Sequence, residues 1–528
     1  MNRAQLIQQI KVKEQVWDII VIGGGATGLG VALDAATRGY KTLLLEQVDF
    51  AKGTSSRSTK LVHGGVRYLA QGDIALVREA LYERGLLLKN APHLVKNQSF
   101  IIPNYEWWGG AFYTIGLKIY DLMAGKLSLG RSVHISKKEV EERIPAIRQE
   151  GLRGGVLYHD GQFDDARLAV NIAQTCVEKG GVVLNYCAVK NLRKDTNGRI
   201  NGVVMEDRET GDVYELSARV VVNATGIFVD GILQMDKPGS GNMVRPSQGV
   251  HLVLDASFLR GEDAIMIPKT EDGRVLFAVP WHNKVVVGTT DTPLDEHSLE
   301  PRALEEEIEF ILRTAARYLT KAPVRKDVLS VFAGLRPLAA TQSSSGKTKE
   351  ISRSHKLLVS ASGLVTITGG KWTTFRRMGQ DTVDKAAETG GLPKAACVTQ
   401  HLPIHGYQQA VNRNDHLYVY GSDQPAIHAL VADNPVLGRR LHPAHEFIAA
   451  EVLWAARYEM ARTVEDVLAR RVRALFLDAR AAIDMAPEVA AIMAGELRQD
   501  EAWQKSQVDS FTRLANGYLL EPYQPHSR

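Results

Sequence analysis

The chain has 528 residues, which is enough for two or three domains with a large buried core. Hydrophobic residues make up 45% and charged residues 23%, and the formal net charge of +4 is too small to indicate nucleic-acid binding. The sequence contains no apolar run of about 18 residues, so we expect no segment that spans a bilayer. The first residues lack the apolar centre of a signal peptide, so we expect no export signal.

The three cysteines argue against a disulfide framework and against a metal site. They are Cys176, Cys187 and Cys397, and no two of them form a C-x-x-C pair. An odd number of widely spaced cysteines is typical of a protein from a reducing compartment. We therefore expect no bound metal.

The N-terminal region predicts a strand–helix–strand unit. Residues 1–16 are polar and basic with loosely spaced apolar positions, so either a short amphipathic helix or a frayed terminus fits them. A buried strand at 18–22, a helix at 27–38 and a second strand at 42–46 follow. This order is typical of a nucleotide-binding βαβ unit.

The remainder up to residue 390 mixes strands and helices, and the tail is helical. The predicted elements are helices at 73–90, 166–180, 301–320 and 373–389, strands at 182–190, 357–361 and 364–368, a hairpin at 200–222, a β-rich stretch at 250–300 and a surface loop at 341–350. Residues 424–515 are rich in Ala, Leu and Arg with helical periodicity. We therefore predict an α/β domain at 1–390 and a helical C-terminal domain at 391–528.

A dinucleotide-binding motif lies between the first strand and the first long helix. Gly23, Gly25 and Gly28 form G-x-G-x-x-G, and Glu46 ends the second strand. Glycine permits the tight turn and close approach of a pyrophosphate, the helix N-terminus offers N–H groups to that anion, and the acid accepts hydrogen bonds from a ribose. The motif predicts a bound dinucleotide and does not separate FAD from NAD.

Two further segments favour FAD. A hydroxyl-rich loop that includes Thr54, Ser55 and Thr59 follows the second strand, where the phosphates of FAD need hydrogen-bond donors. A later strand ends in a turn that contains Thr225 and Gly226, as in flavoproteins that return to the dinucleotide late in the chain. We therefore predict that these residues contact FAD.

Taken together, the motifs resemble those of one family, the FAD-dependent respiratory glycerol-3-phosphate dehydrogenases. The matching segments are residues 19–46, 54–69, 164–168, 221–226, 279–291, 334–338 and 369–376. The resemblance implies a Rossmann-like FAD domain of the glutathione-reductase and para-hydroxybenzoate-hydroxylase type, capped by a β-sheet substrate domain. It also implies oxidation of sn-glycerol 3-phosphate to dihydroxyacetone phosphate, with ubiquinone or menaquinone as the acceptor.

By the same resemblance, several residues line the active site. Arg67, Tyr68 and Arg353 are expected to bind substrate, and His63 and Gly370 are expected to lie at the flavin. The predicted catalytic residues are His251, Arg336 and Lys371. Guanidinium and ammonium groups suit a phosphate dianion. His251 is the preferred base because an unperturbed imidazole titrates near neutral pH, and Arg336 is an alternative partner for the alkoxide.

Membrane attachment is expected to be peripheral, on the cytoplasmic face of the inner membrane, and the protein is expected to be a homodimer. Two segments are candidates for the contact. One is the aromatic stretch at 107–120, which fits a lipid interface or a core segment equally well. The other is the basic tail helix, with Arg457, Arg462, Arg470, Arg471 and Arg473.

Two other functions remain open from the residues alone. An FAD-dependent amine or amino-acid oxidase that uses oxygen would share the dinucleotide motif and the cap, but it would not require several cations converging on a phosphate. A non-catalytic flavin or nucleotide sensor would not need intact residues at every catalytic motif.

Overall fold

The structure, a computed structural model, describes residues 1–12, 14–66, 69, 72–106, 109–270, 273–339 and 355–523, with side chains except at 109–112. The α-helices are α1 Arg3–Ile10, α2 Ala26–Thr37, α3 Ile74–Asn90, α4 Gly109–Ala124, α5 Lys137–Arg143, α6 Asp165–Glu178, α7 Val229–Asp236, α8 Glu305–Tyr318, α9 Phe375–Gly390, α10 Gln424–Asp433, α11 Ala449–Tyr458, α12 Ala474–Leu477, α13 Ala479–Leu497 and α14 Glu501–Asn516. The strands are β1 Val16–Ile22, β2 Thr42–Leu45, β3 Leu61–Val62, β4 Val95–Asn104, β5 Val133–Ser136, β6 Gly154–Phe163, β7 Val182–Leu184, β8 Cys187–Lys194, β9 Ile200–Asp207, β10 Val213–Asn223, β11 Val244–Asp255, β12 Ala264–Ile267, β13 Leu276–Trp281, β14 Lys284–Gly288, β15 Thr292–Pro293, β16 Val328–Ala339, β17 Lys356–Val359 and β18 Val365–Thr368.

The first sheet has a parallel centre that carries the dinucleotide motif. Its strand order is β17-β18-β10-β1-β2-β7, and β8 and β9 extend it from β10. The apolar run of β1 is buried on both faces, as parallel strands covered by helices require. Helices α2 and α9 are so close that a Cβ on Gly379 would lie 2.5 Å from the carbonyl oxygen of Gly30. This sheet confirms the predicted α/β fold.

The second sheet forms a cap over the first. Its order is β15-β11-β14-β13-β12-β4-β6-β3, with β16 beside β11 and β5 beside β6. Strands β11 and β16 are antiparallel over most of their length, and His251 lies opposite Phe332. The amphipathic helix α8 packs its apolar face, including Ile308 and Ile311, into the core of this sheet.

The part of the chain after α9 is largely helical in the residues described. Leu417 and Tyr420 pack into the core of the first sheet. Helices α11 to α14 form a second core that also contains Val253 and Phe332 of the cap sheet. The tail therefore contacts both sheets, and the boundary near residue 390 remains a prediction.

The structure decides one alternative that the sequence left open and differs from the sequence predictions at another point. Residues 1–16 include the ordered helix α1, which buries Leu6 and Ile10. The strand predicted at 182–190 is divided into β7 and β8 at Tyr186, which has a positive φ of 55°. The predicted loop at 341–350 lies outside the described residues. Among the helices that the structure describes, none is long and apolar enough to cross a bilayer.

Candidate active site

A cavity of about 1250 Å³ lies between the two sheets. Its wall is formed by the glycine turn after β1, the loop at 51–59, the turn after β10, the segment at 369–373 and the strands β11 and β16. Every predicted site residue that the structure describes lines this cavity, with Gly28 as the exception. Motifs that are far apart in the sequence therefore meet in one place.

The glycine turn is shaped by close backbone approach. Gly23 has a φ of +109°, and a Cβ there would lie 2.7 Å from the carbonyl oxygen of Ala224. A Cβ on Gly28 would lie 1.9 Å from the carbonyl oxygen of Gly23. Gly28 is therefore required for packing of α2 against the turn, and the structure does not place it in the cavity wall as a cofactor contact.

Glu46 and Ser55 are held at the start of α2. The carboxylate of Glu46 accepts hydrogen bonds from the backbone N–H of Gly24 at 2.6 Å and of Val48 at 3.0 Å. The hydroxyl of Ser55 accepts from the backbone N–H of Ala26 at 2.9 Å. A carboxylate at the end of β2 and the positive end of the α2 dipole suit a ribose and a diphosphate, respectively.

The opposite side of the cradle comes from two later turns. The hydroxyl of Thr225 donates to Oδ1 of the buried Asn223 at 2.8 Å, which fixes the turn that continues into Gly226. Gly370 has a φ of +76°, and a Cβ there would lie 2.4 Å from Sδ of Met378. His63 also lines the cavity, and its backbone N–H donates to the hydroxyl of Thr373 at 3.2 Å.

His251 is a buried imidazole in the cavity wall, with an exposed fraction of 2%. Its Nε2 lies 2.9 Å from Oγ1 of Thr59, and its ring stacks on Phe332. Burial, together with the positive charges of Lys60 and Arg336, lowers the pKa of His251 well below its ordinary value. The prediction that His251 titrates near neutral pH is therefore wrong, because the imidazole is uncharged there.

Arg336 reaches the same wall from β16. Its Nη2 donates to Oγ1 of Thr289 at 3.0 Å, and its Nη1 lies 3.4 Å from Oδ1 of Asp291. A Cβ on the neighbouring Gly249 would lie 2.4 Å from Nη2, so a side chain there would displace the guanidinium from this position. Lys371, at the start of the turn before α9, lines the cavity as well.

The residues present fit a flavin dinucleotide at one end of the cavity and a small anion at the other. The glycine turn, Glu46 and the α2 terminus form a cradle that a bulkier turn would fill. Arg336 lies close enough to the neutral His251 imidazole to lower its pKa, and Lys371 supplies a second positive charge to the same cavity. This arrangement suits the oxidation of a small anionic alcohol.

Comparison with known proteins agrees with this geometry. A family described as FAD dependent oxidoreductase matches residues 18–376, and the C-terminal domain of alpha-glycerophosphate oxidase matches residues 367–504. A probable mitochondrial glycerol-3-phosphate dehydrogenase of Caenorhabditis elegans is 40% identical over 94% of this chain and 73% of its own length. The mitochondrial glycerol-3-phosphate dehydrogenase of Schizosaccharomyces pombe is 37% identical over 95% of this chain and 87% of its own length. The chain belongs to the FAD-dependent glycerol-3-phosphate dehydrogenase family.

A solved structure of this family has the same fold. The glycerol-3-phosphate dehydrogenase of Bacillus halodurans, complexed with FAD, is 30% identical, covers 99% of both chains and has a TM-score of 0.79. The predicted combination of an FAD domain, a β-sheet cap and a helical C-terminal domain is confirmed.

Three residues that the family resemblance assigns to substrate binding lie outside the described residues. They are Arg67, Tyr68 and Arg353. Their assignment remains a prediction. The geometric argument rests on Arg336 and Lys371, the predicted site cations that the structure describes.

A buried ionic cluster beneath His251 was not predicted. Lys60 has no exposed surface, donates to Oδ2 of Asp165 at 2.7 Å and lies 5.2 Å from the ring centre of Phe332. Burial lowers the pKa of Lys60 to about 7 in spite of Asp165. Arg473 donates to Oδ1 of the same carboxylate at 2.8 Å. The sequence gives no signal for this cluster, because its members come from distant segments.

The basic tail is not a membrane surface in the way its sequence suggested. Arg470 and Arg471 are buried and both donate to Asp49, and Arg473 is buried against Asp165. The prediction that these three arginines face lipid is wrong, because ion pairs hold them inside the protein.

Proposed function

We propose that this protein oxidises sn-glycerol 3-phosphate to dihydroxyacetone phosphate and passes the electrons to ubiquinone or menaquinone. The observation that carries the proposal is the shared cavity, in which a dinucleotide cradle adjoins His251, Arg336 and Lys371. The names of the relatives and the family match support the same substrate and cofactor.

The reaction removes two electrons and two protons from the substrate alcohol. FAD, when bound, supplies the hydride acceptor for the hydrogen on C2 of the substrate. The proton of the C2 hydroxyl must leave to a base as the carbonyl forms. The chain therefore has to hold the phosphate, orient C2 and receive one proton.

His251 is the proposed proton acceptor. Its depressed pKa keeps the imidazole in the neutral base form at neutral pH, but it also makes the imidazole a weaker base than a free one. Thr59 and Phe332 fix the ring from two sides. The cations Arg336 and Lys371 are proposed to bind the phosphate dianion, and a bound dianion would offset the positive field that disfavours protonation of the imidazole.

Of the aromatic stretch expected at the membrane, residues 107 and 108 lie outside the described residues and Tyr120 is buried. The proposed membrane contact is therefore the outward apolar face of α4. Ile115, Ile119 and Leu122 are 63%, 46% and 80% exposed and recur at helical spacing, whereas Leu117 on the inner face is buried. The exposed Lys118 lies beside this apolar strip. Apolar residues with neighbouring lysines suit a headgroup interface, and we propose attachment to the cytoplasmic face of the inner membrane.

One assay separates the proposed dehydrogenase from an oxidase. Purified protein should oxidise sn-glycerol 3-phosphate anaerobically with a soluble quinone analogue, and oxygen alone should support a much lower rate. Equal or faster turnover with oxygen, accompanied by hydrogen peroxide, would favour the oxidase function and remove quinone as the acceptor. Reduction by an amino acid instead of glycerol 3-phosphate would overturn the substrate as well.

The predicted homodimer is part of the same proposal. Light scattering of the detergent-solubilised protein should give twice the mass of the 58.1 kDa chain after subtraction of detergent. A mass of one chain would contradict it.

A further inference from the structure

The loop at His63–Gly65, between β3 and α3, is held from two sides. Thr373 accepts from the backbone N–H of His63 on one side. On the other side, the backbone N–H of Gly64 donates to the hydroxyl of Tyr120 at 2.7 Å. The loop carries His63 and Gly65 into the cavity wall, so its position determines the shape of that wall.

Tyr120 lies near the C-terminal end of α4, and only 1% of it is exposed. Its hydroxyl donates to Oδ2 of Asp160 at 2.7 Å, and Oδ1 of Asp160 accepts from Nη1 of Arg84 at 2.8 Å. Burial raises the pKa of Tyr120 well above its ordinary value, so the phenol keeps its proton. The hydroxyl can therefore donate to Asp160 and accept from Gly64 at the same time.

The loop fits against Tyr120 without spare room. A Cβ on Gly64 would lie 2.5 Å from the hydroxyl oxygen of Tyr120 and 2.6 Å from Cδ2 of Leu81. Glycine at this position is thus explained by the close contacts with Tyr120 and Leu81. A shift of the Tyr120 hydroxyl would move the loop backbone directly, because protein interiors are closely packed.

We propose that Tyr120, held by Asp160 and Arg84, is a positioning residue that fixes the His63–Gly65 wall of the cavity and thereby sets the rate at which substrate reduces the flavin. The inference rests on the proposed function. It concerns a residue of α4 that belongs to none of the motifs through which the family was identified.

The test compares Tyr120→Phe with a matched control, Tyr420→Phe. Tyr420 is equally buried, its hydroxyl donates to Glu451 at 3.1 Å and Arg167 lies over its ring, but it does not line the cavity.

With FAD bound, Tyr120→Phe should show about fivefold to tenfold faster exchange of the amide hydrogen of Gly64 and a changed flavin absorbance spectrum. Its anaerobic flavin reduction by sn-glycerol 3-phosphate should be about tenfold slower, with KM within about twofold of the wild type. Tyr420→Phe should leave all of these unchanged.

Amide exchange and the absorbance spectrum use no substrate, so they report on Tyr120 even if the proposed substrate is wrong. Wild-type exchange at Gly64 together with a wild-type reduction rate in Tyr120→Phe would overturn the inference, as would equal effects in Tyr420→Phe. If Tyr120→Phe does not retain FAD, the same measurements on Asp160→Asn test the proposal. That variant keeps an acceptor for the hydroxyl but weakens it, so smaller shifts in the same direction support the proposal and unchanged values contradict it.

Discussion

Arg336 and Lys371 are on different elements, yet both bring a positive charge to the same cavity. Arg336→Ala and Lys371→Ala should each lower kcat/KM for sn-glycerol 3-phosphate by about 10-fold to 150-fold, because a charge-assisted hydrogen bond contributes roughly 1.5–3 kcal/mol. Steady-state kinetics and the flavin content of each variant are the measurements. Arg439→Ala, which removes an exposed cation paired with Glu488, serves as the control. Wild-type kinetics in both site variants would place the phosphate elsewhere.

His251→Gln should slow flavin reduction by roughly 10²–10⁴-fold while FAD stays bound, because the proton of the substrate hydroxyl loses its acceptor. In the wild type the acidic limb of the kcat/KM profile should lie well below pH 6.5, since burial and nearby cations depress the pKa of His251. Stopped-flow absorbance across pH 4.5–8 measures both effects. A variant that keeps the wild-type rate and the same acidic limb would show that another group is the base.

Most motif residues of the site could be predicted from the sequence because they lie beside a glycine or at a recognisable turn, whereas His251 lies between apolar residues and was assigned by the family resemblance. The reason why glycine occupies these positions could not be predicted from the sequence. Gly249 makes room for the guanidinium of Arg336, and a Cβ on Gly288 would lie 2.5 Å from the ring of His251. Lys60 was missed for a related cause, since the three rings and one carboxylate around it come from segments far apart in the chain.

Helix α4 joins the proposed membrane contact to the cavity wall. Leu122→Glu should reduce flotation with anionic vesicles about tenfold, because a charge replaces an apolar side chain at the lipid interface. Val213→Glu, at a position with 62% exposure on β10, is the matched control and should float as the wild type does. Equal flotation of Leu122→Glu and wild type would remove α4 from the membrane contact.

Helical periodicity identified the elements of the tail but misplaced its arginines. A run of basic residues at helical spacing predicts a solvated face when no partners are visible. Here the partners of Arg470 and Arg471 are Asp49, on a loop of the FAD domain, and acids of the tail itself. Long-range ion pairs leave no trace in local periodicity, so the sequence could not reveal the burial.

The tail is tied to the FAD domain by a charged histidine. Nδ1 of His405 lies 2.5 Å from Glu178 on α6, and Nε2 lies 2.7 Å from Asp423. Burial alone would lower the pKa of His405, but the two carboxylates outweigh it and raise that pKa to about 9. The pairing of charged His405 with the two carboxylates therefore stabilises the folded protein fully below about pH 6.5. This stabilisation is lost as the pH rises through the raised pKa of His405.

His405→Gln should be less stable than the wild type at pH 6 by on the order of 2–3 kcal/mol, and the difference should shrink towards pH 10. Thermal unfolding of the FAD-loaded protein from pH 6 to pH 10 measures it. His428→Gln, which removes a more exposed histidine bonded to Asp415, is the control. A constant difference between His405→Gln and wild type across this range would contradict the assigned protonation.

The two-sheet architecture was predictable at the level of the family because the motifs occur in a fixed order along the chain. Glu46 directly after β2, the turn at Thr225 and the segment at Gly370 all line the same cavity. The contact of the tail with both sheets was not predictable. It depends on side chains such as Val253 and Phe332, whose sequence context indicates only that they belong to strands.

Anaerobic addition of sn-glycerol 3-phosphate to the purified yellow protein tests the central claim most directly. The flavin absorbance should bleach within one turnover, and dihydroxyacetone phosphate should form in a 1:1 ratio to reduced flavin. Glycerol supplied with inorganic phosphate should bleach it far more slowly, because the phosphate is then not joined to the reacting alcohol. Flavin that stays oxidised with sn-glycerol 3-phosphate and is bleached by an amine or an amino acid would contradict the account.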